Sequence, residues 1–273
     1  MAGESPRELL RKYGLRPKQS WGQNFLGDPE VLSRIAAAVA IRPGELVVEL
    51  GPGLGHLTRA LAAAGAKVVA VERDRDMVRV LEEQQLPGVR VVAANAAAVD
   101  FAQVSGEQRV AVVGNLPYHL TSPILFQVLD QREHVSRAVF TLQDEVVTRL
   151  AAEPGGRDYG LLTVLLGAYF DIEKLFSLPA HLFHPPPKVD SAVVRLTALP
   201  RPRAEVKSHE RFRKLVKAAF AQRRKTLSNS LRSDPSLATP EQMKAALERA
   251  GIDGGRRAET LSIEEFAALE RAL

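Results

Sequence analysis

The 273-residue sequence has no cysteine. That absence excludes a disulfide framework, a thiolate metal site and a cysteine nucleophile together. Long hydrophobic runs are missing too. The longest, Leu161 to Phe170, falls short of the roughly 20 apolar residues that cross a bilayer. The N-terminal stretch MAGESPRELLRKYGLRPKQS lacks a continuous apolar segment, so no secretory signal is expected. Glu4, Glu8 and motif residues beginning at Gly22 argue against a transit peptide. No G-x-x-x-x-G-K-S/T stretch is present, so ATP hydrolysis is not indicated. The six histidines are scattered, and His181 and His184 lack carboxylates at ligand spacing, so no metal is expected. These absences leave a cytoplasmic protein without a membrane partner.

What is present is ordinary globular composition, 45% apolar and 25% charged. The length suits one large domain or two smaller ones. From Glu45 to about Gln143 the chain alternates strand and helix. Strands are expected at Glu45–Leu50, Ala66–Val71, Val89–Ala93, Arg109–Val113 and Arg137–Leu142, with helices at His56–Ala64 and Asp74–Gln85. Apolar runs separated by helices predict an α/β fold with a parallel sheet covered on both faces. Ser191–Leu196 reads as a late edge strand.

After Pro200 the spacing is helical. Phe212, Leu215, Val216, Ala219 and Phe220 share a face, Thr239-Pro240-Glu241 resembles an N-cap, and Ser262-x-x-Glu265 a capping box. Two domains are therefore expected, 1–200 and a small all-α domain at 201–273.

Glu49-Leu50-Gly51-Pro52-Gly53-Leu54-Gly55 joins the first strand of this series to its helix. Glycines there let a ligand approach the backbone at the carboxyl edge of an open α/β sheet. Glu72, 21 residues after Gly51, stands where a carboxylate accepts from ribose hydroxyls. A dinucleotide site needs G-x-G-x-x-G, but His56 occupies the last position. Glu49 would repel a pyrophosphate and suits a cationic ligand. The loop resembles motif I of S-adenosylmethionine-dependent methyltransferases; a purely structural glycine turn is the other reading.

Asn115-Leu116-Pro117-Tyr118 follows a strand at the same edge. An exocyclic adenine amine is a poor nucleophile, because its lone pair is delocalised into the ring. Methylating it calls for acceptors that hold both N–H groups and favour a pyramidal nitrogen. The Asn115 side-chain oxygen and the Leu116 carbonyl can supply them, Pro117 fixes the turn, and Tyr118 offers a stacking face. The base must be splayed out or unpaired to reach the site. The same four residues also make an ordinary turn.

With Gly22-Gln23-Asn24-Phe25-Leu26, Phe183 to Ser191 (FHPPPKVDS) and Phe220 to Leu227 (FAQRRKTL), these blocks resemble the ribosomal RNA adenine dimethyltransferase family, in its order and over nearly the whole chain. The last block is most similar to the small-subunit branch. The resemblance implies a Rossmann-like class I methyltransferase sheet with a small all-α C-terminal domain. It implies S-adenosylmethionine bound by Gln23, Asn24, Leu26, Glu49, Gly51, Gly53, Gly55, Glu72, Arg73, Asn95, Ala96 and Asn115. It further implies dimethylation of two neighbouring adenines near the 3′ end of small-subunit (16S) ribosomal RNA, by a monomer acting in ribosome biogenesis. Phe183 would stack on the target base opposite Tyr118. The family usually has aspartate where this chain has Asn95, which keeps an acceptor oxygen but loses the charge. Weaker cofactor binding with retained chemistry is therefore expected, and Asn95→Asp should lower the cofactor Kd. A non-catalytic assembly factor, a DNA adenine methyltransferase and a large-subunit enzyme are the competing readings.

The net charge of +5 is unevenly placed. Residues 201–232 hold eleven Lys and Arg against two acids, net +9, leaving −4 elsewhere. Beside an adenine-methylating site, Arg211, Lys214, Lys217, Arg223, Arg224 and Lys225 read as a phosphate-gripping face for small-subunit RNA or its 30S precursor particle.

Overall fold

The structure is a computed structural model that describes residues 4–273. Nine strands occur among them: β1 (Phe25–Leu26), β2 (Leu46–Leu50), β3 (Lys67–Glu72), β4 (Val89–Ala93), β5 (Val110–Asn115), β6 (Val135–Gln143), β7 (Phe170–Leu178), β8 (Phe183–His184) and β9 (Ser191–Ala198). Seven form one sheet in the order β4-β3-β2-β5-β6-β9-β7. β2 pairs in parallel with β3 and β5, and β5 with β6, whereas β9 runs antiparallel to β6. β1 and β8 make a separate antiparallel pair, Leu26 opposite Phe183.

The parallel strands are valine-rich because both faces are covered. Val47, Val48 and Leu50 on β2, and Val110 to Val113 on β5, are all fully buried. The helix Pro29–Val39, capped by the Asp28 side chain, buries Val31, Leu32, Ile35 and Val39 in the same cluster as Leu57 and Leu61 of the helix His56–Ala63. The N-terminal helix Pro6–Lys12 buries Leu9 and Leu10 with Phe25, Leu54, Met77 and Val80. Parallel order places the carboxyl ends of β2, β3 and β5 side by side, and that edge receives ligands in open α/β sheets.

Two expectations need correcting. The strand starting at Ser191 is not an edge strand: β9 lies between β6 and β7, with Ala192, Val193, Val194 and Leu196 wholly buried. The edge on that side is β7, whose sequence pattern does not read as a strand. Asp171, Glu173 and Lys174 interrupt its apolar pattern because an edge strand keeps one side in water. Asp74, read as the first residue of a helix, is instead the N-cap of Arg75–Glu83.

The chain divides into two compact units, one of residues up to Val147 with Glu173–Ala198, the other of Thr148–Ile172 with Leu199–Leu273. A single cut at residue 200 is simpler than this partition. The helix Leu161–Gly167 packs on His209–Phe220 and so belongs with the C-terminal helices. In that unit the half-buried Phe220 packs between the buried Tyr159 and Phe266, with ring centroids 6.3 Å and 5.8 Å apart. Its helix Pro240–Ala250 starts on a Thr239 capping box and Ile263–Ala272 on a Ser262 one.

Candidate active site

A cavity of about 260 Å³ opens at the carboxyl edge of the sheet. It is bounded by the Gly22–Leu26 segment, the Glu49–Leu54 loop, Glu72 and Arg73, and the Asn115–Leu120 turn. Its shape begins with the glycines. Gly51 has φ +69°, which favours glycine, and a Cβ there would meet nothing within 4 Å. The loop therefore presents bare backbone to the cavity. Gly53, at φ +55°, faces the Phe25 ring, where a Cβ would lie 2.9 Å from Cε1.

Glu72 ends β3 with its carboxylate ordered by main-chain donors. Oε1 accepts from Arg73 N at 2.8 Å and Asp74 N at 2.9 Å, and Oε2 accepts from Gly53 N at 3.1 Å. A carboxylate offers about four acceptor positions, so Oε2 keeps one for a ligand hydroxyl. Burial pushes the Glu72 pKa up, and the three backbone donors pull against that shift.

Glu49 is 1% exposed and its Oε2 has no hydrogen-bond partner. Burial raises its pKa to about 8, with the Glu72 charge adding to the shift. The nearby Thr58 hydroxyl counteracts this in part without closing a hydrogen bond. An orphaned carboxyl oxygen in a cavity wall suits a cationic ligand group.

The segment before β1 closes another side. The Asp74 carboxylate is 1% exposed and accepts from Lys18 Nζ at 2.6 Å and Gln23 Nε2 at 2.8 Å. Lys18 also pairs with Asp76 at 2.7 Å, and these partners raise its pKa. Trp21 receives the Arg73 guanidinium 4.2 Å and the Lys18 ammonium 5.1 Å from its ring centroid.

On the β5 side, Asn115 Nδ2 donates to the Asn24 carbonyl at 2.9 Å. A carbonyl only accepts, so the amide's orientation is fixed and Oδ1 is left as an acceptor at the cavity. Leu116 N donates to the Thr141 carbonyl at 3.2 Å. Close packing demands glycine at 114, where a Cβ would lie 2.6 Å from the Leu50 carbonyl oxygen. The half-buried Tyr118 ring is held by a 2.8 Å bond between its hydroxyl and Ser191 Oγ.

Asn115, Leu116, Pro117, Tyr118 and Phe183 all line this cavity, as do Gln23, Asn24, Leu26, Glu49, Gly51, Gly53, Glu72, Arg73 and Ala96. Gly55 and Asn95 do not. Gly55 serves helix packing, since a Cβ there would come 2.8 Å from Leu81 Cδ2. Asn95 is exposed, and its Oδ1 accepts from Ala97 N at 3.1 Å as a helical cap. Lys18, Trp21 and Asp74 went unassigned in the sequence. The sole tryptophan, one residue before the Gly22 block, was the available signal.

The six basic residues expected to grip RNA differ in their surroundings. Arg211 Nε lies 3.9 Å from the fully buried Glu270, Lys214 pairs with Glu210 at 2.8 Å, and Arg223 donates to the Arg157 carbonyl. Lys217, Arg224 and Lys225 are exposed.

The profile of the family described as ribosomal RNA adenine dimethylase matches residues 14–273. The chain belongs to the ribosomal RNA adenine dimethylase family. It is 68% identical over 270 residues to ribosomal RNA small subunit methyltransferase A of Myxococcus xanthus (strain DK1622), covering 99% of this chain and 95% of the relative. The protein of the same description from Anaeromyxobacter sp. (strain K) is 56% identical over 280 residues, covering 98% of each chain. Among solved structures, the 23S rRNA methyltransferase ErmE superposes with TM-score 0.69 at 31% identity, covering 92% of this chain and 99% of that one. A dimethyladenosine transferase from Plasmodium falciparum superposes with TM-score 0.75 at 23% identity, covering 90% and 95%, and shares the fold. The family's fold, a Rossmann-like sheet followed by a helical C-terminal part, is the one described above. Among the described residues no helix is long and apolar enough to cross a membrane.

Proposed function

We propose that this chain uses S-adenosylmethionine to dimethylate the N6 amines of two adjacent adenines near the 3′ end of small-subunit ribosomal RNA. The observation that carries the reading is the fixed amide of Asn115, whose Nδ2 is committed to the Asn24 carbonyl so that Oδ1 must accept. The 68% identity to a small-subunit methyltransferase over 99% of this chain supports the small-subunit target over the 23S target of the 31%-identical ErmE. The partner is proposed to be small-subunit ribosomal RNA or its 30S precursor particle, met in the cytoplasm by a monomer.

The cavity fits the cofactor in three respects: the open backbone at Gly51, the spare acceptor on Glu72 Oε2 and the unpartnered Glu49 Oε2. When bound, S-adenosylmethionine supplies a methyl group activated by its sulfonium. Glu49 is assigned to the cationic amino group and Glu72 to the ribose hydroxyls, with Gln23, Asn24, Leu26, Arg73 and Ala96 completing the walls. Asn115 Oδ1 and the Leu116 carbonyl would accept both N–H groups of the unmethylated amine, and one of them the single N–H that remains before the second transfer, leaving the nitrogen lone pair free to react. Tyr118 and Phe183 hold the base between two aromatic faces. The amine loses its proton after the transfer, so no side chain needs to act as a general base, and positioning carries the rate. Lys217, Arg224 and Lys225 are assigned to RNA phosphates.

The test is tritiated methyl transfer onto undermethylated small subunits, with the product nucleoside identified. N6,N6-dimethyladenosine in the small-subunit RNA is the expected product. Label on large-subunit RNA, on DNA, or nowhere would overturn the reading.

A further inference from the structure

Two of the aromatic side chains that line the cavity, Tyr118 and Phe183, are tied together by one stretch of chain. Phe183 stands at its start on β8, and Ser191 at its end begins β9. Ser191 is 0% exposed, and its side chain is spent on one contact, the 2.8 Å bond to the Tyr118 hydroxyl. The backbone beneath it is anchored. Ser191 pairs with Gln143 of β6, the preceding Asp190 carbonyl accepts from Asp144 N at 3.1 Å, and the Asp190 carboxylate accepts from Ala180 N at 2.9 Å. Tyr118, by contrast, sits in a short helical turn with its ring only half buried. Without the hydroxyl contact, rotation about its side-chain torsions would tilt the face the base stacks on.

We propose that Ser191 is a positioning residue for the target adenine, fixing the plane of the Tyr118 ring. This rests on the adenine-methylating reading above. The bond joins two neutral hydroxyls, either of which can donate, so its hold on the ring does not depend on a neighbouring charge. Burial raises the pKa of the Tyr118 hydroxyl above its ordinary value, which keeps it protonated at working pH. A ring displaced by about 1 Å misplaces the amine relative to Asn115, an error that costs up to about a hundredfold in rate.

The experiment compares wild type, S191A, Y118F and the double variant as full-length proteins. It reads kcat and KM on undermethylated small subunits, the Kd of S-adenosylmethionine alone by calorimetry, and thermal unfolding. Expected is a roughly tenfold fall in kcat for each single variant, with cofactor Kd unchanged and a double variant no slower than the slower single one. Y118F keeps the stacking ring and deletes only the contact, so it decides the matter even if S191A folds poorly. Wild-type kcat in Y118F, or losses that multiply in the double variant, would overturn the assignment while leaving the adenine reading intact. A wild-type protein that methylates no adenine would overturn both.

Discussion

Asn115 Nδ2 donates to the main-chain carbonyl of Asn24 at 2.9 Å, across 91 residues of sequence. One contact thus joins the segment that walls the cofactor cavity to the turn assigned to the target amine. Asn115→Ala removes the acceptor, and Asn115→Asp sets a carboxylate oxygen against the Asn24 carbonyl. Both should lower kcat by about a hundredfold or more. Small-subunit binding should stay near wild type in Asn115→Ala, and filter-binding beside methyl-transfer kinetics checks the split.

Lys18 anchors the same segment from the other end, with its ammonium between Asp74 and Asp76. Lys18→Met leaves Asp74 buried with Gln23 and a backbone N–H but no cation. A charged hydrogen bond lost at a partly exposed site should weaken S-adenosylmethionine binding about fivefold. Calorimetry reads this directly, and an unchanged Kd would separate Lys18 from the cavity.

If Glu49 meets the cationic amino group as proposed, cofactor binding should depend on pH. Burial raises the Glu49 pKa from the ordinary carboxylate value of 4.5 to about 8, which favours the protonated form in the free protein at neutral pH. A cationic ligand group stabilises the charged form, so binding near pH 7 should release a proton. Calorimetry in buffers of different ionisation enthalpy should detect it in wild type and not in Glu49→Gln. The stability effect has the opposite sense. Between about 4.5 and 8 the folded state holds a proton that the unfolded state has lost, so wild type should lose stability relative to Glu49→Gln as pH rises through that window.

The basic face should divide into two classes. Arg224→Ala and Lys225→Ala should each weaken RNA binding and reduce its salt slope by about one. Arg211→Ala should act mainly on stability, because it strips a cation from beside Glu270, which is 0% exposed and accepts from Lys207 N at 2.8 Å and Ser208 N at 3.1 Å. Glu270→Ala should go further, leaving those donors without their acceptor at a cost of about 2–4 kcal/mol. Binding against salt and thermal unfolding of the same variants resolve the two classes.

The α/β pattern, the glycine loop and the Asn115–Tyr118 turn were readable from residue order alone. Valine runs bounded by turns announce buried parallel strands, and glycines at strand ends announce close backbone approach. β7 escaped notice because its charges mask an edge strand, and β9 was misplaced because strand order is invisible in a single chain's local pattern. The carboxyl edge itself was inferred correctly, since the short connections after β2 and β5 leave little other choice.

Sequence by itself determined which chemical groups this protein brings to the cavity at the sheet's carboxyl edge, among them two glutamates, a bare glycine backbone, an asparagine and two aromatic rings. Tertiary structure alone decided how they are held. The direction of the Asn115 amide, the anchoring of Tyr118 by Ser191, the burial of Asp74 under Lys18 and the diversion of Arg211 to Glu270 join residues 56 to 91 positions apart. Local periodicity sets which way a side chain leaves its own strand or helix. What it meets there depends on the register of elements far away in the chain.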